Sequence, residues 1–162
     1  MHLIQQAAIQ KIMLSKLEAY VGCVCVPSNT TKNMPAYPYI SFTVINTAQK
    51  KGTYSKLEDV LYKPVLQKWS FTVQSDDDAE AQEKALLISD FFEEVGRLYL
   101  EDNNIVVADV GAITPRDNLL TIEYEYRKGL DVTLRLNNVI NETTNETIET
   151  ITINNLINLE KS

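Results

Sequence analysis

The chain of 162 residues has one histidine, His2, at its start, which leaves a histidine triad, a histidine general base or a histidine-ligated metal with no well-anchored residue to run on. Its two cysteines, Cys23 and Cys25, form a Cys-x-Cys with no second pair to complete a zinc site. In an extended segment both thiols point to one face, which reads as buried packing. Glycines are few, at positions 22, 52, 96, 111 and 129, and no two are close enough to make a phosphate-cradling loop. No apolar run approaches the length of a bilayer crossing, and the first residues lack a basic region ahead of a continuous apolar stretch. The expectation is a protein made in the cytoplasm, with no membrane partner, no cofactor, no metal and no catalytic residues.

Charge of one sign is in excess, and unevenly placed. The chain carries 15 basic and 22 acidic residues, net −7, which argues against affinity built on neutralising nucleic-acid phosphates. Up to Ser75 the balance is 8 basic to 3 acidic, and beyond it 7 basic to 19 acidic. Such polarity reflects either a match within the subunit or one subunit's basic surface meeting the next one's acidic surface.

Hydrophobic periodicity supplies the elements. Leu3, Ala7, Leu14, Leu17 and Val21 form a helical stripe, with Ile9, Ile12, Met13 and Tyr20 beside it and Gly22 as the stop. Tyr37 to Thr47 reads as a strand with Ile40, Phe42 and Val44 on one face, Ala48 to Val60 as a polar loop or hairpin tip, and Leu66 to Gln74 as a half-buried strand. Asp76, Asp77 and Asp78 then open a helix, with Asp77 and Glu80 at capping-box spacing. That helix is expected to run unbroken from Ala79 to Leu100, with Ala81, Ala85, Ile88, Phe92, Val95 and Tyr99 inward, and to end at Asn103 and Asn104. Ile105 to Ile113 reads as a strand stopped by Pro115, and Ile122 to Leu136 as a long strand with Gly129 placed for a bulge or bend in the middle. At about 50 Å, such a strand exceeds what a compact sheet of this size needs, so part of it is expected to project. The order predicts an α+β fold, an antiparallel sheet with two main helices packed on one face, over residues 1–137, followed by a β-prone extension over 138–162.

Candidate chemistry is thin. Asp76, Asp77, Asp78 and Glu80 lack the spacing of a calcium loop and read as a capped helix start. Glu123 and Glu125 share a strand face, but alternating charge on a wet strand explains them more simply than acid–base work does. The charge blocks are the stronger signal. Lys50, Lys51, Lys56, Lys63 and Lys68 face only Glu58 and Asp59 in the region Thr47 to Lys68, whereas Asp76 to Asp102 holds ten acidic residues against Lys84 and Arg97. If these regions meet between copies, the contact is heterologous and closes into a ring where the rotation permits.

The segments Trp69-Ser70-Phe71-Thr72-Val73-Gln74 before an acidic helix start, Ile105-Val106-Val107, Pro115-Arg116-Asp117-Asn118, and Glu123 to Val132 together resemble the neck or tail terminator proteins of long-tailed bacteriophages. The resemblance implies a virion protein of the tail or neck, made in the bacterial host. Its subunits would form a hexameric ring that caps the tail tube and joins the head–tail connector, with DNA passing through unbound. In such a ring Arg116, Asp117, Arg127 and Arg135 join Lys50, Lys51, Lys56, Asp76, Asp77 and Asp78 as candidate interface residues. The alternatives are a tail tube, baseplate or connector-adaptor subunit and, third, a small carboxylate-based hydrolase.

Overall fold

A computed structural model describes residues 6–30, 33–50, 52, 55–57, 60–117 and 125–141. Helix α1 (Gln6–Val21) buries Ile9, Met13, Leu14, Leu17 and Val21. Ala7 is exposed, so the inward stripe is carried by Ile9 and Met13 in its place. Gly22 ends the helix at φ +78°, its N–H bonding back to the Glu18 carbonyl, while the Lys84 ammonium reaches the Val21 carbonyl at 3.0 Å. The strands are β1 (Val24–Pro27), β2 (Tyr39–Lys50), β3 (Ser55–Leu57), β4 (Val60–Ser75), β5 (Val106–Val110), β6 (Thr114–Pro115) and β7 (Tyr126–Asn141). They form one sheet in the order β1-β2-β4-β7-β5, with β3 on β4 and β6 on β7. Every pairing is antiparallel except β1 with β2, which is parallel, so the fold is α+β with a mixed sheet.

One face of the sheet is apolar. Ile40 and Phe42 from β2, Val65, Trp69, Phe71 and Val73 from β4, and Leu130, Val132, Leu134 and Leu136 from β7 bury together against the helices. The alternation expected for β4 and β7 holds because partners in an antiparallel ladder share a face: Trp69 lies opposite Val132 and Phe71 opposite Leu130. The Trp69 indole packs on Phe42 and Phe71 and donates to the Gln67 amide oxygen. The Gln67 amide nitrogen in turn donates to the Thr47 carbonyl and to Gln6, so a fully buried glutamine is satisfied.

Of the two readings of Ala48 to Val60, loop or hairpin tip, the second holds: β2 continues to Lys50, β3 pairs Leu57 with Val60, and β4 begins at Val60. Three expectations are corrected. The expected long helix is broken: α2 (Asp78–Asp90) passes into a π-helical turn at Phe91–Val95 before α3 (Arg97–Asp102). The widened turn delays the periodicity by one residue, so Gly96 and Leu100 turn inward while Val95 is 57% exposed. Gly129 causes no bulge, since β7 pairs with β4 in unbroken register through it. In the capping box Asp77 accepts from the Ala79 N–H as expected, but Glu80 does not return to the Asp77 backbone; the Ser75 hydroxyl accepts from the Asp77 N–H and donates to Glu80. The helix end at Asn104, φ +63°, is as predicted. Ile122 to Tyr124, and the extension beyond 141, lie outside the described residues.

The β4–β7 ladder runs from Ser75–Tyr126 to Val60–Asn141, whereas β5 pairs no further along than Arg135, which lies opposite Leu66. Val65 and Leu136, the first rung past Leu66, still belong to the core, and the five rungs from Pro64 to Val60 extend the ribbon by about 17 Å at roughly 3.3 Å per residue.

Candidate assembly interface

The described candidate residues fall into four places on the fold. Lys50, at the end of β2 opposite Val65, and Lys56, in β3 opposite Leu61, sit on the ribbon. Lys51 lies outside the described residues. Asp76, Asp77 and Asp78 follow the other end of β4 and are exposed. Some 14 residues of strand separate Leu61 from Ser75, about 45 Å, so the ribbon lysines and the first three aspartates of the acidic block lie at opposite ends of β4. Asp77 is already engaged in capping α2, and Asp78 pairs with Lys128 at 3.1 Å. Lys128 lies opposite Val73 and therefore projects to the helix side, which makes the ion pair a pin between β7 and the start of α2.

Arg116, Asp117 and Arg127 come together on the opposite, polar face. Arg116 follows β6, its N–H bonded to the Arg127 carbonyl, and its guanidinium donates to Ser70 at 2.6 Å, Thr72 at 3.0 Å and Asp131 at 2.9 Å. Gly129 is what admits it: a Cβ there would stand 2.6 Å from the Arg116 Nε. Partial burial disfavours the charged form of Asp131, but hydrogen bonds from Arg116 and Ser70, with the charges of Arg116 and Lys68, outweigh it and hold the carboxyl below its ordinary range. Asp117 accepts the Arg127 N–H at 2.7 Å, and the Arg127 guanidinium bonds Glu125 at 3.0 Å. Tyr39, almost fully buried and stacked on Tyr37, has its phenol pushed up by burial and then by Glu125 and Tyr37, with Arg127 opposing. These groups bind one another across β4, β6 and β7. Arg135 stands apart, exposed, further along β7.

The remaining chemistry is quiet. Burial pushes both cysteine thiols up, more strongly at Cys25, where Glu18 adds to it. Among the described residues no group of three or more histidine, cysteine, aspartate or glutamate side chains could hold a metal ion, and no helix is long and apolar enough to cross a membrane. Glu125 is engaged with Arg127, and Glu123 lies outside the described residues. Two features escaped the periodicity argument, the inward Lys128 and the widened turn at Phe91–Val95. The one available signal for the turn was Gly96 inside an otherwise helical run.

Compared with known proteins, residues 7–161 match the family model of phage neck terminator proteins. No curated protein matches the chain.

Proposed function

The chain belongs to the phage neck terminator proteins, structural proteins of tail completion, and we propose that its subunits associate head to tail into a closed ring. That ring, a hexamer by family resemblance, caps the tail tube, ends its growth and presents its other rim to the head–tail connector. The observation that carries this reading is the segregation of charge: lysines on the projecting ribbon, and ten acidic residues on the segment Asp76 to Asp102 that forms the helices after β4. A contact joining unlike surfaces is heterologous; it closes into a ring where the rotation permits and leaves two rims free to differ. The net charge of −7 suits a channel that DNA traverses without being held.

Native mass spectrometry and electron microscopy of the purified chain test this directly. The expected result is a discrete closed ring that loosens as ionic strength rises, with overlong tails in phage particles lacking the protein. A monomer at every concentration and salt would end the reading. Filaments in place of rings would transfer it to a tube or baseplate subunit.

A further inference from the structure

The widened turn at Phe91–Val95 makes a groove. Gly96 lies beneath the Phe91 ring, where a Cβ would stand 2.4 Å from it, and the same turn swings Val95 out to 57% exposure and leaves Leu98, one turn on, at 73%. Between this turn and the last part of α1 opens a groove of about 310 Å³ lined by Tyr20, Phe91, Val95 and Tyr99, with Lys16 at its edge. The Lys16 ammonium is occupied over the Tyr99 ring, 4.8 Å from its centre. On the exposed side of the same helix stand Asp90, Glu94 and Asp102, whereas Glu93 and Arg97 turn to the other flank, where they line a second groove with β5.

A complementary shape exists elsewhere in the same chain. Leu57, at the end of β3 opposite Val60, is 67% exposed, and the ribbon that carries it holds Lys50, Lys56 and Lys63, with Glu58 and Asp59 next to it in the sequence. The ribbon cannot deliver this residue to its own helices, because β4 and β7 pair without a register shift over their full 16 residues and carry the tip beyond the body. If this apolar knob and that apolar groove meet, they do so between molecules.

We propose that the ribbon tip of one subunit, led by Leu57, seats in the Tyr20–Val95–Tyr99 groove of a second copy of this chain. The proposal rests on the self-association put forward above, and adds which surfaces make the contact. Both partners are named on the same polypeptide and differ from each other, which is the condition for head-to-tail growth.

The test uses the full chain in native mass spectrometry, with Leu57→Asp damaging the knob and Val95→Asp damaging the groove. Both sites are exposed, so thermal melting should stay near wild type. Each variant alone is expected to lose at least about tenfold in association constant, since a charge that must be desolvated replaces an apolar side chain at the centre of the contact. Mixing the two leaves one intact knob and one intact groove, and the expected product is a heterodimer that goes no further. A second measurement, oxidative cross-linking of Leu57→Cys/Val95→Cys, should give covalent ladders of subunits. Variants that assemble as wild type does, a mixture that stays monomeric, or a bond formed within one chain would each overturn the contact while leaving the ring standing. A wild-type chain that never associates removes both, and filaments joined by the same cross-link would keep the contact and remove the ring.

Discussion

The two faces of the sheet are built from alternate residues of the same strands, yet they are held by different forces. On the helix side Trp69, Phe71, Leu130 and Val132 exclude water, and their stabilisation scales with area and tight packing. On the other side Ser70, Thr72 and Asp131 are gathered by a single guanidinium lying over Gly129. Removing an apolar group leaves a void, whereas removing the arginine leaves donors and acceptors that water can partly satisfy, because Arg116 and Asp131 are still 27% and 33% exposed. The apolar face should therefore dominate stability, and the polar face should set how stability depends on pH.

The widest separation between the faces is expected from Trp69→Ala, which empties the centre of the aromatic stack and should cost about 3–5 kcal/mol in urea unfolding. Gly96→Ala should follow at roughly 1–3 kcal/mol, because the new methyl meets the Phe91 ring, which is itself buried and packed edge-on to Phe92. On the polar face, Gly129→Ala should displace the Arg116 side chain at a cost of about 1 kcal/mol, comparable to Arg116→Ala. Unfolding midpoints of the two single variants and their double should show the second change adding almost nothing to the first.

The smallest effect concerns pH. The folded carboxyl of Asp131 titrates below its unfolded value, so its stabilisation is fully present above about pH 4 and is lost as pH falls through the folded value. Asp131→Asn should then lose less stability than wild type between about pH 7 and about pH 3, read from the same urea midpoints. An unchanged acid limb would show that the guanidinium lattice is not what tunes it.

The strand faces were legible because a period of two leaves little choice: Ile40, Phe42, Trp69, Phe71, Leu130 and Val132 each lie where alternation puts them. The helix start was legible for a similar local reason, since Asp77 caps α2 through atoms two residues apart. What failed to show was the phase slip after Asp90. Val95 and Tyr99 continue a helical stripe on paper, and only the packing of Phe91 over Gly96 makes the slipped phase the one that buries Leu100. For the candidate interface, charge segregation was visible in the residue order, but the use of Arg116 inside its own subunit was not, because Ser70, Thr72 and Asp131 are brought to it by strands distant in the chain.

Composition and periodicity by themselves determined an acidic α+β chain with an apolar sheet face, a capped acidic helix and basic residues kept apart from it, since each follows from near neighbours along the backbone. Tertiary structure alone decided where the two charge blocks sit, how far the ribbon reaches past Leu66–Arg135, and that the Phe91–Val95 turn opens a groove. Those depend on ladder register and on rings packing across helices, and such distances are set only when remote parts of the chain come into contact.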